Sequence, residues 1–282
     1  MTLRRDWAYY VRRLFFYSFI ILLATVCIIP LYWMVRASFM RNTAIMIIDP
    51  FVFWPYEMIF QNYVDAFNGM NFLRGFRNTM IIMVGTMSGV LLTSMMAAYA
   101  FARIRWKGRS LCFALIMSTM MLPGTVTLIS QYIMWANLNF VDTFVPLIAP
   151  AWFGGGAFNI FLLRQFLMNI PRELDEAAVV DGAGHLQIFF RIVAPLSRSA
   201  IIVVGLFTFL GVWNDFFGPL IYLMSRDNYT LVLGLLFFRG EFTARWDLIM
   251  AGSTMLILPC IILFVFAQKQ LIEGISLTGL KG

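Results

Sequence analysis

The sequence is poor in charged residues. Asp, Glu, Lys and Arg make up 12% of its 282 residues, whereas about a quarter of the residues in soluble domains are charged. So few charges could not cover the surface of a water-soluble fold, and 61% of the residues are hydrophobic. The net charge of +7 does not indicate a nucleic-acid partner, because the basic residues lie beside apolar stretches, where they set membrane topology. We therefore expect a protein embedded in the lipid bilayer.

Residues that bind metals or perform catalysis are also scarce. The three cysteines lie far apart inside apolar stretches and form no CxxC or other ligand spacing. His185 is the only histidine, and its role stays open. The run Gly154-Gly155-Gly156 lacks the Lys-Ser/Thr that follows a phosphate-binding loop, so it predicts close helix packing or a kink. We expect no metal site, no catalytic residues and no enzyme activity.

Six apolar stretches are long enough to cross a bilayer, since about 20 apolar residues span the hydrocarbon as a helix. They are too long and too uniformly apolar for the alternating strands of an outer-membrane barrel. Helices are expected because lipid offers backbone groups no other hydrogen-bond partners. The sequence thus predicts an all-α integral membrane protein, a single domain over residues 1–282, with spans at about 14–36, 78–102, 110–134, 144–167, 198–223 and 246–268.

Lys and Arg are divided unevenly between the loops, and cytoplasmic loops carry the excess. If the amino terminus is inside, fourteen of the 21 basic residues lie on the cytoplasmic side and seven lie outside. The tight basic loop from Arg103 to Arg109 is the strongest single marker. We therefore expect the amino and carboxyl termini in the cytoplasm.

The only long cytoplasmic loop, at about residues 169–195, has features that a plain connector does not need. Pro171 suits a first helical position, and the acidic residues after it complement the positive end of a helix dipole. Gly182 and Gly184 would end this helix. Residues 186–193 would form a second, apolar helix. Exposed apolar residues of this kind usually mark a partner site, although the helix could instead lie along the membrane interface or pack under the bundle.

The spacing in this loop resembles the Glu-Ala-Ala loop of ATP-binding-cassette (ABC) importer permeases. The family pattern is Glu-Ala-Ala, three residues, Gly, nine residues, Ile, one residue, Leu-Pro. The chain has Glu176-Ala177-Ala178, Gly182, Ile192 and Pro195 at those spacings, with Ala194 where the pattern prefers Leu. This single conservative departure leaves the match over about 20 residues specific.

The resemblance extends over nearly the whole chain. The six spans, the basic loop after the second span, Trp213-Asn214-Asp215 and the tail Glu273–Gly282 are similar to the smaller, G-like permease subunit of maltose-type carbohydrate importers. This family implies the type I ABC importer permease fold, with core spans at about 78–268. It also implies the cytoplasmic membrane of a bacterium or archaeon. The tail would reach between the ATPase subunits.

The same resemblance implies the partners. A second permease subunit would complete the path as a heterodimer, two ATPase subunits would bind beneath, and an extracytoplasmic solute-binding protein would deliver the solute. ATP and Mg would belong to the ATPase, so this chain would hold no cofactor. The residues implied to form the ATPase joint are Glu176, Ala177, Ala178, Asp181 and Gly182, with Leu186 and Phe189 seating it.

Two further groups of residues are candidates by the same resemblance. The substrate path would pass Trp213, Asn214 and Asp215, where an ionisable group inside a span is costly and usually functional, although a structural or gating role suits them equally. Additional polar or aromatic candidates for the path are Gln131, Tyr132, Trp135 and Asn159. Residues implied to contact the binding protein are Tyr229, Phe237, Phe238, Arg239 and Phe242.

The substrate class stays open between a sugar or oligosaccharide and glycerol phosphate or another polar solute. A self-contained secondary transporter is an alternative. It would need coupling acids in several spans, whereas only Asp215 qualifies, and inverted repeats, of which the sequence gives no convincing sign. A membrane enzyme would need paired carboxylates or a histidine cluster, which are absent from the sequence.

Overall fold

The computed structural model describes residues 7–45, 53–240 and 243–279, without the side chains of Ala8 and of residues 269–279. Within these ranges the chain is helical and has no strand beyond an isolated antiparallel bridge between Arg239 and Ala244. The α-helices in chain order are α1 (Trp7–Ser38), α2 (Asn42–Ile45), α3 (Gln61–Gly69), α4 (Phe72–Ala102), α5 (Arg109–Thr119), α6 (Gly124–Asn137), α7 (Val145–Ile148), α8 (Ala157–Met168), α9 (Glu173–Val180), α10 (His185–Ile188), α11 (Ala194–Leu196), α12 (Arg198–Trp213), α13 (Phe217–Tyr222), α14 (Leu231–Gly234) and α15 (Trp246–Gly279). Short 3-10 turns cover Ala149–Trp152, Arg226–Asn228 and Leu235–Phe238, and a π-helical turn covers Phe189–Val193.

Four helical segments are long and apolar enough to cross a membrane, namely Tyr9–Ser38, Phe72–Ala102, Val145–Met168 and Trp246–Gln268. Two bent helix pairs, α5 with α6 and the segment His185–Leu196 with α12, raise the number to six if each pair is one span. The prediction of an all-α membrane protein is confirmed. Five of its six stretches correspond to the four segments and to the pair of α5 and α6. The fifth, predicted at 198–223, overlaps its pair only over 198–213, because the pair covers His185–Trp213.

Three of the predicted spans are interrupted rather than continuous. The third bends by 94° between α5 and α6, because Pro123 lacks an N–H and takes an extended backbone conformation before α6. The fourth is broken between Trp152 and Ala157 by the three glycines, which have φ angles of 99°, 67° and 93°. The fifth stops at Trp213, and α13 starts only at Phe217.

The chain divides into two compact units. The first comprises Met1–Met70 and Leu235–Ile257. In it the end of α1 is joined to α3 by polar side chains. The Ser38 hydroxyl lies 2.7 Å from the Tyr63 hydroxyl, and the Asn62 amide donates to the Ser38 carbonyl oxygen at 2.9 Å.

The second unit comprises Asn71–Gly234 and Leu258–Gly282. Its central helix is α4, which packs against α8 and α12. Small residues allow the close approach, as expected for helices in lipid. A Cβ on Gly89 would lie 2.7 Å from the Trp152 ring, and a Cβ on Gly155 would lie 2.7 Å from the Val90 carbonyl oxygen. The triple glycine is thus a close packing point, as its sequence predicts.

Candidate functional site

The Glu-Ala-Ala loop, residues 169–195, begins with α9. The helix starts at Glu173 and not at Pro171, which lies before the N-cap residue Arg172. The expectation for Pro171 was therefore wrong by two residues, although the acidic first turn is where predicted and suits the helix dipole. After α9, Gly182 takes a φ of +81°, which residues with a Cβ adopt at a cost of about 1–2 kcal/mol.

The second helix of the loop runs into the next span. Gly184 precedes α10 and is not the stop of α9, since its φ is −78° and its N–H donates to the Gln187 side-chain oxygen at 3.1 Å. The helix continues through the π-helical turn Phe189–Val193 and α11, and then bends by 78° into α12. The loop is therefore joined directly to a span at its carboxyl end.

The apolar helix of the loop has a buried side and an exposed side. Ile188 and Phe189 are 1% and 4% exposed, and the Phe189 ring packs edge-on against Tyr99 of α4 at 5.4 Å. Leu186 and Phe190 are 67% and 58% exposed. The sequence left open whether this helix docks a partner or packs under the bundle, and the two possibilities apply to opposite faces of one helix. One face packs under the bundle, and the other is open.

The seven residues expected at the ATPase joint divide in the same way. Ala178 and Phe189 are buried in this chain's own core. Exposed positions are Glu176, Ala177, Asp181, Gly182 and Leu186. A partner could touch this exposed set, while the buried pair holds the loop in place.

A buried ion pair fastens α9 to the end of α4. Arg103 Nη1 lies 3.3 Å from Asp175 Oδ2, and the side chains are 4% and 19% exposed. Arg103 Nη2 also donates to the Ile170 carbonyl oxygen at 2.8 Å, and Arg172 donates to the Ala102 carbonyl oxygen at 3.4 Å. The sequence did not indicate this anchor, because Arg103 counts as a topology marker in a basic loop and Asp175 is one of three acids in a helical first turn.

Trp213-Asn214-Asp215 forms the junction between α12 and α13. The Trp213 side chain is 2% exposed and stacks on a phenylalanine of α12 with 5.5 Å between ring centroids. The Asn214 amide donates one turn back to a carbonyl oxygen of α12 at 2.9 Å. Asp215 Oδ1 accepts from the Gly218 N–H at 3.0 Å. These contacts end one helix and start the next, which is a structural role for the motif.

The other candidates for the path lie on α6 and α8. The Gln131 amide donates to a threonine hydroxyl one turn earlier at 3.0 Å. Tyr132 stacks on Tyr222 of α13 at 6.1 Å, and Trp135 meets a phenylalanine ring edge-on at 6.0 Å. The Asn159 amide donates to a glycine carbonyl oxygen at 2.7 Å. Tyr132 thus joins α6 to α13, while Gln131 and Asn159 bond to their own helical neighbourhoods.

The residues expected to contact a binding protein fall into different environments. Phe238 is 7% exposed and fills the space over Gly69, where a Cβ would lie 2.7 Å from its ring. Arg239 is exposed and begins the bridge to Ala244. Phe237 is half-buried in the same unit. Of the expected contacts in this unit that the structure describes, Arg239 is therefore the most exposed.

Tyr229 belongs to the other unit, where it is half-buried. The segment around it is held by the start of α4. The Asn78 amide donates to the carbonyl oxygens of Asp227 and Tyr229 at 2.8 and 3.0 Å, and the Leu231 N–H donates to the Thr79 hydroxyl at 3.1 Å. Asn78 is 0% exposed. The last expected contact, Phe242, lies outside the described residues.

Asp142, which the sequence did not single out, fastens the turn after α6 to the segment after α13. Its Oδ1 accepts from the N–H groups of Met224 and Ser225 at 2.9 Å each, and its carbonyl oxygen accepts from the Asn228 amide at 2.7 Å. The Ser225 hydroxyl also donates to Oδ2. Partial burial raises the pKa of Asp142, but these donors outweigh it and lower the pKa to about 2.

A family match covers two thirds of the chain. Residues 89–276 match the binding-protein-dependent transport system inner membrane component. Among the described residues, no group of three or more His, Cys, Asp or Glu side chains could hold a metal ion.

Relatives with similar sequences are transport permeases. The chain is 34% identical over 229 residues to the arabinooligosaccharides transport system permease protein AraQ of Bacillus subtilis, covering 81% of each chain. It is 31% identical over 277 residues to the galactooligosaccharides transport system permease protein GanQ of the same organism, covering 97% of each. The diacetylchitobiose uptake system permease protein DasC of Streptomyces coelicolor is 29% identical, over 90% of this chain and 92% of DasC.

The fold is similar to that of a chain in the crystal structure of a bacterial ABC transporter involved in the import of the acidic polysaccharide alginate. The TM-score is 0.82 at 22% identity, over 95% of this chain and 99% of that chain. A second structure, of a bacterial alginate ABC transporter in complex with an alginate pentasaccharide-bound periplasmic protein, gives a TM-score of 0.67 at 16% identity, over 91% and 94%. These likenesses support the expected importer permease fold.

Proposed function

Because this chain belongs to the family of binding-protein-dependent transport system inner membrane components, we propose that it is one of two permease subunits of an ABC importer for a sugar or oligosaccharide. Residues 1–282 would serve as one permease domain, which forms half of the translocation path with a second, different permease subunit. Two ATPase subunits would hold ATP and Mg, and this chain would hydrolyse nothing. Two of the relatives described above are named for transport of arabinooligosaccharides and galactooligosaccharides, and the third for uptake of diacetylchitobiose, which supports the sugar class.

The observation that carries the proposal is the open face of the Glu-Ala-Ala loop. Its buried face packs in the chain's own core, so its exposed positions are free to dock a partner. Glu176 and Asp181 offer carboxylates, Ala177 and Gly182 permit close approach, and Leu186 offers apolar surface. We place the loop in the cytoplasm, with both termini, since the Lys and Arg excess lies on that side. The tail from Glu273 would extend toward the ATPase subunits.

The solute-binding protein would dock on the chain at the outer side of the membrane. Arg239, Phe237 and Tyr229 are its proposed contacts, since each is exposed or half-buried. Glycerol phosphate or another polar solute is the second candidate, because nothing at Trp213–Asp215 selects a sugar: the Asn214 and Asp215 side chains bond to backbone.

The ATPase joint is tested by co-purification. The chain is expressed with the neighbouring genes for the second permease and the ATPase, and Glu176→Lys is compared with the parent. We expect the variant to reach the membrane but to lose coupled uptake. The matched control is Glu57→Lys, the same charge reversal at an exposed residue of the other unit. If the parent brings down no ATPase, or if Glu176→Lys supports normal uptake, the proposed joint is wrong.

The substrate class is tested on the complete complex in proteoliposomes. ATPase activity is measured with the solute-binding protein and a panel of arabino-, galacto- and chito-oligosaccharides, with glycerol 3-phosphate as the non-sugar member. Stimulation by a member of the sugar series supports the proposal. Stimulation by glycerol 3-phosphate alone would replace the sugar by the second candidate.

A further inference from the structure

The helix α4 is fastened at each end to a segment that the proposed function gives to a partner. At its carboxyl end the C-terminal clamp joins it to the Glu-Ala-Ala loop; this clamp comprises Arg103, Ile170, Arg172 and Asp175. At its amino end the N-terminal clamp joins it to the segment around Tyr229; this clamp comprises Asn78, Thr79, Asp227, Tyr229 and Leu231. Since α4 has 31 residues, it is about 46 Å long at 1.5 Å per residue.

Between the clamps α4 is one continuous helix that stays in contact with its neighbours. It contains no proline, whereas α1 and α15 contain Pro30 and Pro259. Glycines on its face let other segments approach, so that Ile148 side-chain atoms would lie 2.9 Å from a Cβ on Gly85. Thr93 donates to a carbonyl oxygen of the 3-10 turn before the triple glycine at 3.1 Å. A single hydrogen-bonded helix therefore joins the two clamps.

The C-terminal clamp is suited to transmit a movement of the Glu-Ala-Ala loop to α4. Arg103 forms an ion pair with the Asp175 carboxylate and donates a hydrogen bond to the Ile170 carbonyl oxygen. Its side chain is almost fully buried. Water cannot readily replace a partner there, so separating the groups leaves buried charges unpaired. The edge-on contact between Tyr99 and Phe189 ties the second half of the loop to the same turn of α4.

The span that follows the loop is less suited to this role. α12 is covalently continuous with the loop, but the connection bends by 78°. At its other end α12 stops at Trp213, where Asn214 and Asp215 form a helix break. A force applied along the loop would therefore meet a bend at one end and a break at the other.

We propose that α4 is the rigid connection through which docking of the solute-binding protein is transmitted to the ATPase, and that Asn78, Arg103 and Asp175 are its positioning residues. The inference rests on the proposed function and extends it, because it assigns the transmission to one helix and to named contacts. Neither clamp touches substrate or nucleotide in this scheme. Each fixes the helix to a docking segment.

The test measures ATPase activity of the complete complex in proteoliposomes, with and without the solute-binding protein loaded with the most stimulating member of the sugar panel. Asn78→Ala and Arg103→Ala should keep the basal rate and lower the stimulation ratio by about 2- to 30-fold, the range that changes in coupling networks produce. Because Asn78→Ala and Arg103→Ala break the same connection, the double variant should lose no more stimulation than the more impaired of the two single variants. Arg103→Lys, which keeps the charge near Asp175, should recover part of the stimulation.

Two matched controls separate transmission from general damage. Ser88→Ala removes a hydroxyl of α4 that bonds only within its own helix, and Arg105→Ala removes an exposed arginine from the basic loop. Both should leave the stimulation ratio unchanged. If Arg103→Ala does not reach the membrane, Arg103→Lys is compared with Arg105→Lys in its place.

The outcomes distinguish the inference from the function on which it rests. If the parent complex contains no ATPase or shows no stimulation with any panel member, the proposed function fails and the inference fails with it. If the parent is stimulated and Asn78→Ala, Arg103→Ala and Arg103→Lys are stimulated equally, only the inference is overturned. Additive losses in the double variant would also overturn it, since two independent routes would then exist.

Discussion

The two ends of α4 use different chemistry to hold the segments that they carry. At the carboxyl end, a buried ion pair and a layer of apolar side chains hold the Glu-Ala-Ala loop. At the amino end, neutral hydrogen bonds with Asn78 and Thr79 hold the segment from Asp227 to Leu231. Just before that segment, Met224 and Ser225 are held by the partly exposed carboxylate of Asp142, which lies in the turn after α6 and not on α4. Water can replace the contacts of the partly exposed Asp142 carboxylate more easily than the buried contacts of the Glu-Ala-Ala loop. Loss of a buried contact of the Glu-Ala-Ala loop should therefore destabilise the protein more than loss of the Asp142 carboxylate.

The largest expected loss of stability is that from removing the buried Phe189 ring of the Glu-Ala-Ala loop. Phe189→Ala should lower the free energy of unfolding by about 3–5 kcal/mol, the usual cost of emptying a buried phenylalanine site. The neighbouring Phe190→Ala is the control, because that ring is 58% exposed, and it should change stability by about 0.5 kcal/mol or less. Thermal unfolding of the purified protein in detergent, followed by tryptophan fluorescence, measures both. Equal shifts for the two variants would contradict the burial that the structure assigns to Phe189.

A smaller loss of stability is expected at Asp142, in the turn after α6. Asp142→Ala removes the acceptor for two backbone N–H groups, a hydroxyl and the Asn228 amide. It should cost about 1–2 kcal/mol, because water reaches the released donors. Asp227→Ala is the control. The Asp227 side chain is 77% exposed in its ion pair with Arg74, and such pairs contribute about 0–1 kcal/mol. The same unfolding measurement applies. A loss at Asp142 as large as that at Phe189 would remove the contrast between the Glu-Ala-Ala loop and the segment from Met224 to Leu231.

The glycine turn of the loop should show a still smaller effect. Gly182→Ala places a Cβ at a φ of +81° in open space, so only backbone strain of about 1 kcal/mol is expected. Gly184→Ala is its matched control, since that site is equally open but has a φ of −78°. We expect Gly184→Ala to unfold at the parent's temperature. If the two variants lose equal stability, the left-handed conformation of Gly182 is not what the turn requires.

The smallest effect concerns pH. Because the pKa of Asp142 is lowered to about 2 in the folded protein, its ionised form stabilises the fold. This contribution is complete above its ordinary pKa of 3.8 and is lost as the pH falls toward 2. Asp142→Asn removes the charge and tolerates the backbone φ of +61° at this site. Unfolding scans from pH 5 to pH 3 should therefore show a shallower loss of stability for the variant than for the parent, and parallel curves would contradict the assignment.

The sequence predicted the class of fold and the Glu-Ala-Ala loop well. It predicted the continuity of the spans and the contacts of the loop less well. Apolar length alone locates the spans, because hydrocarbon thickness sets how many residues they need. The third, fourth and fifth spans are nevertheless broken. Pro123 and the triple glycine were visible in the sequence, but lipid-spanning helices often keep such residues without a break. The stop at Trp213 had no comparable signal.

Within the loop, the sequence by itself predicted the glycine turn, and its Glu-Ala-Ala pattern resembles that of a permease family to which the chain belongs. Only the tertiary structure decided that Asp175 pairs with Arg103, that Phe189 is buried and that Leu186 is open. The physical reason is that residues facing lipid, core or partner are all apolar in a membrane protein, so periodicity cannot separate them. Likewise, three acids in one helical turn look alike until the fold brings a buried arginine to one of them.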